Sequence, residues 1–426
     1  VNLAGKNSKG KTNQQEMSSA LSKNGLDSTW PLAPSGSGTT IARAVEFLCI
    51  GGGSLLIMAF CCCLCNVKFV MRDEVRMLLA QAAASTLLIT ALFSYPHTIW
   101  SYRFAYNQGR AFIVKHSWEL IGYPLIILLL LLVSALTWSL PVSTFGALSA
   151  FEKAAATCGV ALHWSSYASL GELLLACLLV MQIIMSGYHY GMQALGVALA
   201  CGERRGYRLE AAQKKYLRLN LYTLWLVNLL SGYTFLSFLD SRCFGYRPIQ
   251  FPHEWQALGA LLFGISIVLV LVKVVLPNFK QQQKLPPLSS STSILSVWLW
   301  LQPFFQPYGF QAAVVPLAHG LQYLYFAARG EDAGFDPVIA ARVKDKQTLR
   351  ALWLVLLFAL LVTCGYVTYR YLPVQLDNTN LITHLAPNFF LMAFYIFLNT
   401  HHYMIDSVVW RGDSRLRAYM PTLTAA

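Results

Sequence analysis

Long stretches without charge set the first limit on what this chain can be. Positions 121–138 and 351–366 each pass without one charged residue, and a helix needs about 20 mostly apolar residues to cross the hydrocarbon of a bilayer. Charged residues are 12% of the chain, against about 25% in ordinary soluble domains. Lipid cannot hydrogen-bond an open backbone, so repeated apolar runs of this length predict helices. The predicted fold is an all-α, polytopic transmembrane bundle.

Hydropathy places about ten spans, near 42–66, 77–100, 120–142, 168–200, 217–239, 255–277, 290–306, 309–328, 350–372 and 387–410. Pro303, Pro307 and Pro316 interrupt the seventh and eighth, which reads equally as a re-entrant pair. With the amino end inside, the cytoplasmic segments hold 25 of the 32 Lys and Arg residues and the outer loops 7. That positive-inside bias predicts both ends cytoplasmic, in a bacterial cytoplasmic membrane. The loop with Lys68, Arg72 and Arg76 is the one that runs against it.

The basic charge of +13 is spread in short clusters between apolar runs. This pattern argues against nucleic acid and for anionic lipid headgroups as partners. Residues 1–40, rich in Lys, Ser, Gly and Asn, read as a flexible basic tail; 41–410 are the transmembrane domain; 411–426 are a short cytoplasmic tail. The segment 146–167 is expected along the outer interface, and 280–293 (QQQK, PP, SSSTS) as a cytoplasmic linker. The glycines at 51–53 lie inside an apolar run, where they serve close helix packing.

The chemistry-bearing residues concentrate in one layer. Six of nine histidines (His97, His116, His189, His319, His401 and His402) fall near the inner ends of five spans. His97, His319 and His402 lie roughly 9–15 Å from Arg103, Arg329 and Arg411, at 1.5 Å per helical residue. Four of the six have a partner three or four positions away: His402 with Asp406, His189 with Gln193, His319 with Gln322 and Tyr323, His116 with Glu119. Such pairs share a helix face. His401 and His402 are adjacent and point about 100° apart, so one of them is expected inside a site.

A strongly polar side chain inside a bilayer costs about 2.5–3.5 kcal/mol on insertion scales, so these groups are expected to face a cavity or one another. Imidazole with a few carboxylates suits iron, copper or zinc. The expected metal ligands are therefore His97, His116, His189, His319, His401 and His402. Asp406 and Glu119 are the candidate catalytic carboxylates. Tyr190, Gln193, Gln322, Tyr323 and Arg103 are expected to contact substrate or orient ligands. The aromatic residues in this layer read either as an interfacial belt or as the lining of an apolar pocket. No phosphate-cradling GxxxxGK[ST], no GxSxG and no HExxH is present.

In broad design, a polytopic chain with histidines gathered at the cytoplasmic face resembles the integral-membrane diiron desaturases and hydroxylases. It is also similar to the His-rich membrane carotenoid-cleaving oxygenases. The HxxxH and HxxHH boxes of the desaturases are missing, and no family is assigned. The expected function is a metal-dependent membrane oxidoreductase of oxygenase, hydroxylase or desaturase type. It would use iron (copper or zinc otherwise), an apolar substrate and an electron donor. The alternatives are a proton-coupled transporter and a non-catalytic, haem-binding subunit of a membrane complex.

Overall fold

The computed structural model describes residues 37–66, 73–231, 249–302, 311–333, 346–379 and 384–410. The predicted tails, Arg411, Pro303 and Pro307 lie largely or wholly outside these residues. By internal contacts the chain forms two units, 1–45 and 46–426. Residues 37–45 of the first are helical, and the second contains the candidate site.

Among the described residues every named element is a helix. The first are α1 (Ser37–Phe47), α2 (Gly53–Asn66), α3 (Asp73–Tyr106), α4 (Arg110–Lys115) and α5 (Tyr123–Leu136). Then come α6 (Gly146–Thr157), α7 (Leu170–Arg204), α8 (Ala211–Leu230), α9 (His253–Val270) and α10 (Leu276–Gln282). The last are α11 (Leu288–Leu301), α12 (Gln311–Ala333), α13 (Lys346–Tyr366), α14 (Leu372–Asn378) and α15 (Phe389–Val409). Wide π-turns join α9 to α10 and α13 to α14 into longer helical runs.

Five helical stretches are long and apolar enough to cross a membrane: Ala42–Phe60, Trp118–Leu136, Leu170–Arg204, His253–Gln282 and Ala351–Asn378. Each of the ten hydropathy segments contains a helix, and among the described residues half of them do not meet that standard. Helix α11 has 14 residues, about 21 Å of rise, too little for a hydrocarbon core of about 30 Å. Helices α12 and α15 are long enough, at 23 and 21 residues, but polar side chains dilute their hydropathy. In α15, Thr400, His401, His402 and Asp406 are all buried within the protein.

Helix α3 is the hub for one side of the site, packing against α12, α13 and α15. Helix α7 packs against α5, α8, α11 and α15. The outer helices divide their faces as a lipid-facing helix should: on α5, Leu125, Leu129, Leu132 and Leu136 are exposed while Ile127, Leu131 and Ser134 are buried.

Two local readings change. The stretch 280–293 is not a linker along its length: α10 runs to Gln282 and α11 begins at Leu288. Ser290 and Ser293 are buried with their hydroxyls donating across the helix interface, to the Ala198 carbonyl at 2.8 Å and the Ala194 carbonyl at 2.9 Å. The expected interfacial segment contains α6, a helix with no buried residue, and its Phe151 ring stacks on Trp164 at 5.1 Å.

The glycine run does more than pack closely. Gly51 adopts φ 151°, ψ −20° and breaks the helix. A Cβ there would stand 2.5 Å from the Thr292 carbonyl oxygen. The carbonyls freed by the break are satisfied, Gly51 by the Ser54 hydroxyl at 2.8 Å and Ile50 by Gln322 Nε2 at 2.6 Å. Gly51→Ala is therefore expected to destabilise the protein by about 2–5 kcal/mol, combining backbone strain with overpacking. Thermal unfolding in lipid nanodiscs measures it, and an unchanged midpoint would contradict the account.

Candidate metal centre

Four helices bring imidazoles to one buried point. His97 comes from α3, His189 from α7, His319 from α12, and His402 with Asp406 from α15; all five are buried. His97 Nε2 lies 3.1 Å from His402 Nε2, and His189 Nε2 lies 3.2 Å from His319 Nε2. One carboxylate oxygen of Asp406 stands 3.6 Å from His189 Nε2 and 3.7 Å from His402 Nε2. The i,i+4 spacing of His402 and Asp406 is what puts imidazole and carboxylate on one face.

Local sequence explains the approach of α3 and α12. Each carries a proline one to three residues before its histidine: Pro96 before His97 and Pro316 before His319. A proline inside a helix leaves a carbonyl without its usual donor and bends the axis. The Ser94 hydroxyl donates to the Pro316 carbonyl at 3.3 Å, tying the two segments together. Gly320 makes the crossing close: a Cβ there would sit 3.1 Å from the Phe93 carbonyl oxygen and 3.5 Å from His97 Nδ1.

The two shortest donor separations, 3.1 and 3.2 Å, match neighbouring ligands of one ion, and those to Asp406, 3.6 and 3.7 Å, are longer. Donors about 2.1 Å from an ion stand about 3.0–3.4 Å apart along the edges of an octahedron or tetrahedron. Two triads, His97–His319–His402 and His189–His402–Asp406, each have donor atoms within 4.8 Å of one another. Neither Asp406 oxygen accepts a hydrogen bond of ordinary length; the Trp410 indole, one turn on, interacts with it at longer range. A carboxylate buried in this way is costly, and a cation held by the surrounding imidazoles would offset the cost. Four nitrogens and one oxygen are a donor set for a first-row transition metal rather than for calcium or magnesium.

The walls are aromatic. The Tyr190 ring lies 4.5 Å from His319, Tyr323 lies 5.5 Å from His97, and Tyr403 lies 4.6 Å from His189. Gln193 Nε2 donates to the His319 carbonyl at 3.0 Å and to Gln322 Oε1 at 3.4 Å. Gln322 in turn holds the Ile50 carbonyl at the helix break. Of the residues expected around the site, Tyr190, Gln193 and Tyr323 lie against the histidines, and Gln322 joins through Gln193.

Three expected ligands or carboxylates, and one expected substrate contact, stand elsewhere. His401 turns away, its ring edge-on to Tyr102 at 4.9 Å, as the 100° step per residue requires. His116 is buried at the end of α4 against the Phe112 ring, 4.5 Å away, and belongs to neither triad; Glu119, on the following π-turn, belongs to neither as well. Arg103 is engaged by Glu331 through two contacts of 2.8 and 3.2 Å, and Trp100 Nε1 donates to the same carboxylate. Its charge is thereby compensated away from the histidines.

Ser101 and Gln182 join the site without having been expected there, and Tyr403, one of the aromatics of the predicted layer, lies with them. Ser101 Oγ is 2.8 Å from His402 Nδ1, and Gln182 Nε2 donates at 3.1 Å to the hydroxyl of Tyr403. Spacing carried a signal for two of them, since Ser101 follows His97 by four and Gln182 precedes His189 by seven, each on the histidine's own face. No protein family, curated protein or solved structure matches the chain.

Proposed function

We propose that the protein is a metal-dependent oxidoreductase of a bacterial cytoplasmic membrane, with about ten spans and both ends cytoplasmic. It acts on a lipid or other apolar substrate, with iron as the metal. The observation that carries this reading is the convergence of four imidazole nitrogens and one carboxylate oxygen from four helices at a buried point. Imidazole-rich sets with a carboxylate suit iron, and copper or zinc after it. A redox-active ion supplies one-electron and dioxygen chemistry that side chains do not. His97, His189, His319 and His402 would hold it, and Asp406 would supply the charge that keeps it in a low-dielectric site.

The aromatic surroundings favour an apolar substrate. Tyr190, Tyr323 and Tyr403 pack against the histidines, and a polar substrate would lose its hydration among them. The nitrogens of His97 and His402, 3.1 Å apart, favour a bare ion over haem. A haem held between two imidazoles would need room for its macrocycle, and these two nitrogens leave none. A proton relay through the same histidines is the rival reading.

The test has two stages. Purified protein in nanodiscs is expected to carry about one equivalent of iron; less than about half an equivalent of iron, copper or zinc removes the reading. The iron-loaded protein, given membrane lipid extract, dioxygen and a one-electron reductant, is expected to yield products that gain one oxygen atom or lose two hydrogens. Proton flux into liposomes, lost in His402→Ala, with no such product, would instead support transport.

A further inference from the structure

We propose that the five donors hold one ion and not two, and that Ser101 enforces this by fixing the tautomer of His402. The inference rests on the metal reading above and specifies its stoichiometry. It begins from a conflict: both metal-capable triads contain His402. If each triad took its own ion, His402 would have to serve both.

The hydrogen bonds of Ser101 decide what His402 can offer. Ser101 is fully buried on α3, one turn beyond His97. Its hydroxyl lies 2.7 Å from the Thr98 carbonyl oxygen and 2.8 Å from His402 Nδ1. A carbonyl oxygen only accepts, so the single hydroxyl hydrogen goes to Thr98. The contact with His402 must then run the other way, with Nδ1–H donating to Ser101 Oγ. A neutral imidazole carries one N–H, so Nε2 is left with a lone pair.

That lone pair points into the group of donors, 3.1 Å from His97 Nε2 and 3.7 Å from the Asp406 oxygen. One lone pair binds one ion. Bridging two ions through both ring nitrogens is closed off, because Nδ1 faces Ser101. Paired ions in two-metal sites lie about 3.5–4 Å apart and need a full set of ligands each. Without a shared His402, the five donors divide into incomplete sets. A ligating histidine whose second nitrogen donates to a fixed acceptor is held in tautomer and orientation. Ser101 is thus a positioning residue, acting through His402, and α3 supplies both it and the ligand His97.

Metal binding itself gives the test, so its outcome is separate from that of any activity assay. Chelator-stripped full-length protein in nanodiscs is titrated with Co(II), following visible ligand-field absorbance, and with Fe(II), followed by elemental analysis. The unaltered chain is expected to saturate at one equivalent. Ser101→Ala is expected to weaken binding roughly 10–100-fold and to shift the Co(II) bands. Ser101→Thr, which keeps the hydroxyl, is expected to restore affinity and spectrum. Ser134→Ala removes another fully buried serine, one bonded to the Gly171 carbonyl, and is expected to leave both unchanged. Saturation at two equivalents would overturn the proposal, as would a Ser101→Ala protein with unaltered affinity and bands. Absence of binding to the unaltered chain would remove the metal centre, and this proposal with it.

Discussion

Protein carrying His402→Ala is expected to lose its metal almost entirely, with affinity reduced by roughly 100-fold or more, whereas His401→Ala retains it. Outer partners of a ligand alone are worth about 10–100-fold, and His402 is itself the donor common to both triads. Its ring is nearly inaccessible at 1% exposure and is held between Ser101 and the other donors. No neighbouring side chain can swing in to replace it. The adjacent His401 makes a strict control, being a buried histidine on the same helix with its ring against Tyr102. Elemental analysis of the two variants after identical loading measures the contrast. Equal metal content in both would show that the convergence of imidazoles has no ligand role.

Asp406→Asn is expected to change stability in opposite directions with and without metal. In chelated protein the Asp406 carboxyl is buried, without a hydrogen bond of ordinary length on either oxygen. A buried carboxyl without such partners carries a cost, whether it stays ionised or takes up a proton, and a neutral amide of the same shape is expected to reduce it by about 1–3 kcal/mol. The chelated variant should therefore unfold at a higher temperature than the unaltered chain. With metal the sign reverses, because the variant loses its one anionic ligand. A ligand that binds only the folded state stabilises by RT ln(1 + [L]/Kd), so a 100-fold loss of affinity removes about 2.7 kcal/mol at high metal concentration. Thermal unfolding of both proteins, chelated and loaded, should give crossing orders. A variant less stable when chelated and equally responsive to metal would mean that Asp406 has a structural partner and no ligand role.

The all-helical class, the positions of the helical stretches and the four histidines that meet were all legible along the chain. Apolar runs and basic punctuation depend on local composition, which the bilayer selects directly. The pairing of His402 with Asp406 was equally legible, since the pitch of one helix dictates it. Span number was less so. Hydropathy averages over a window, and two helices that hold the site, α12 and α15, carry buried polar side chains that lower the average.

What lay beyond the sequence was which helices meet, and at what rotation. His116 falls near a predicted span end like the others, and its partner Glu119 has the right spacing, yet the packing around α4 keeps both out of the triads. Arg103 looked equally suited to a substrate, but Glu331, 228 positions away, takes its charge. Ser101 is read as an ordinary helix residue until α15 places His402 beside it, 301 positions further along. Depth in a membrane and the face of a helix are short-range properties of sequence. The azimuth of one helix against another is set by side-chain interlock and close approach, as at Gly51 and Gly320, and those contacts exist only in the assembled bundle.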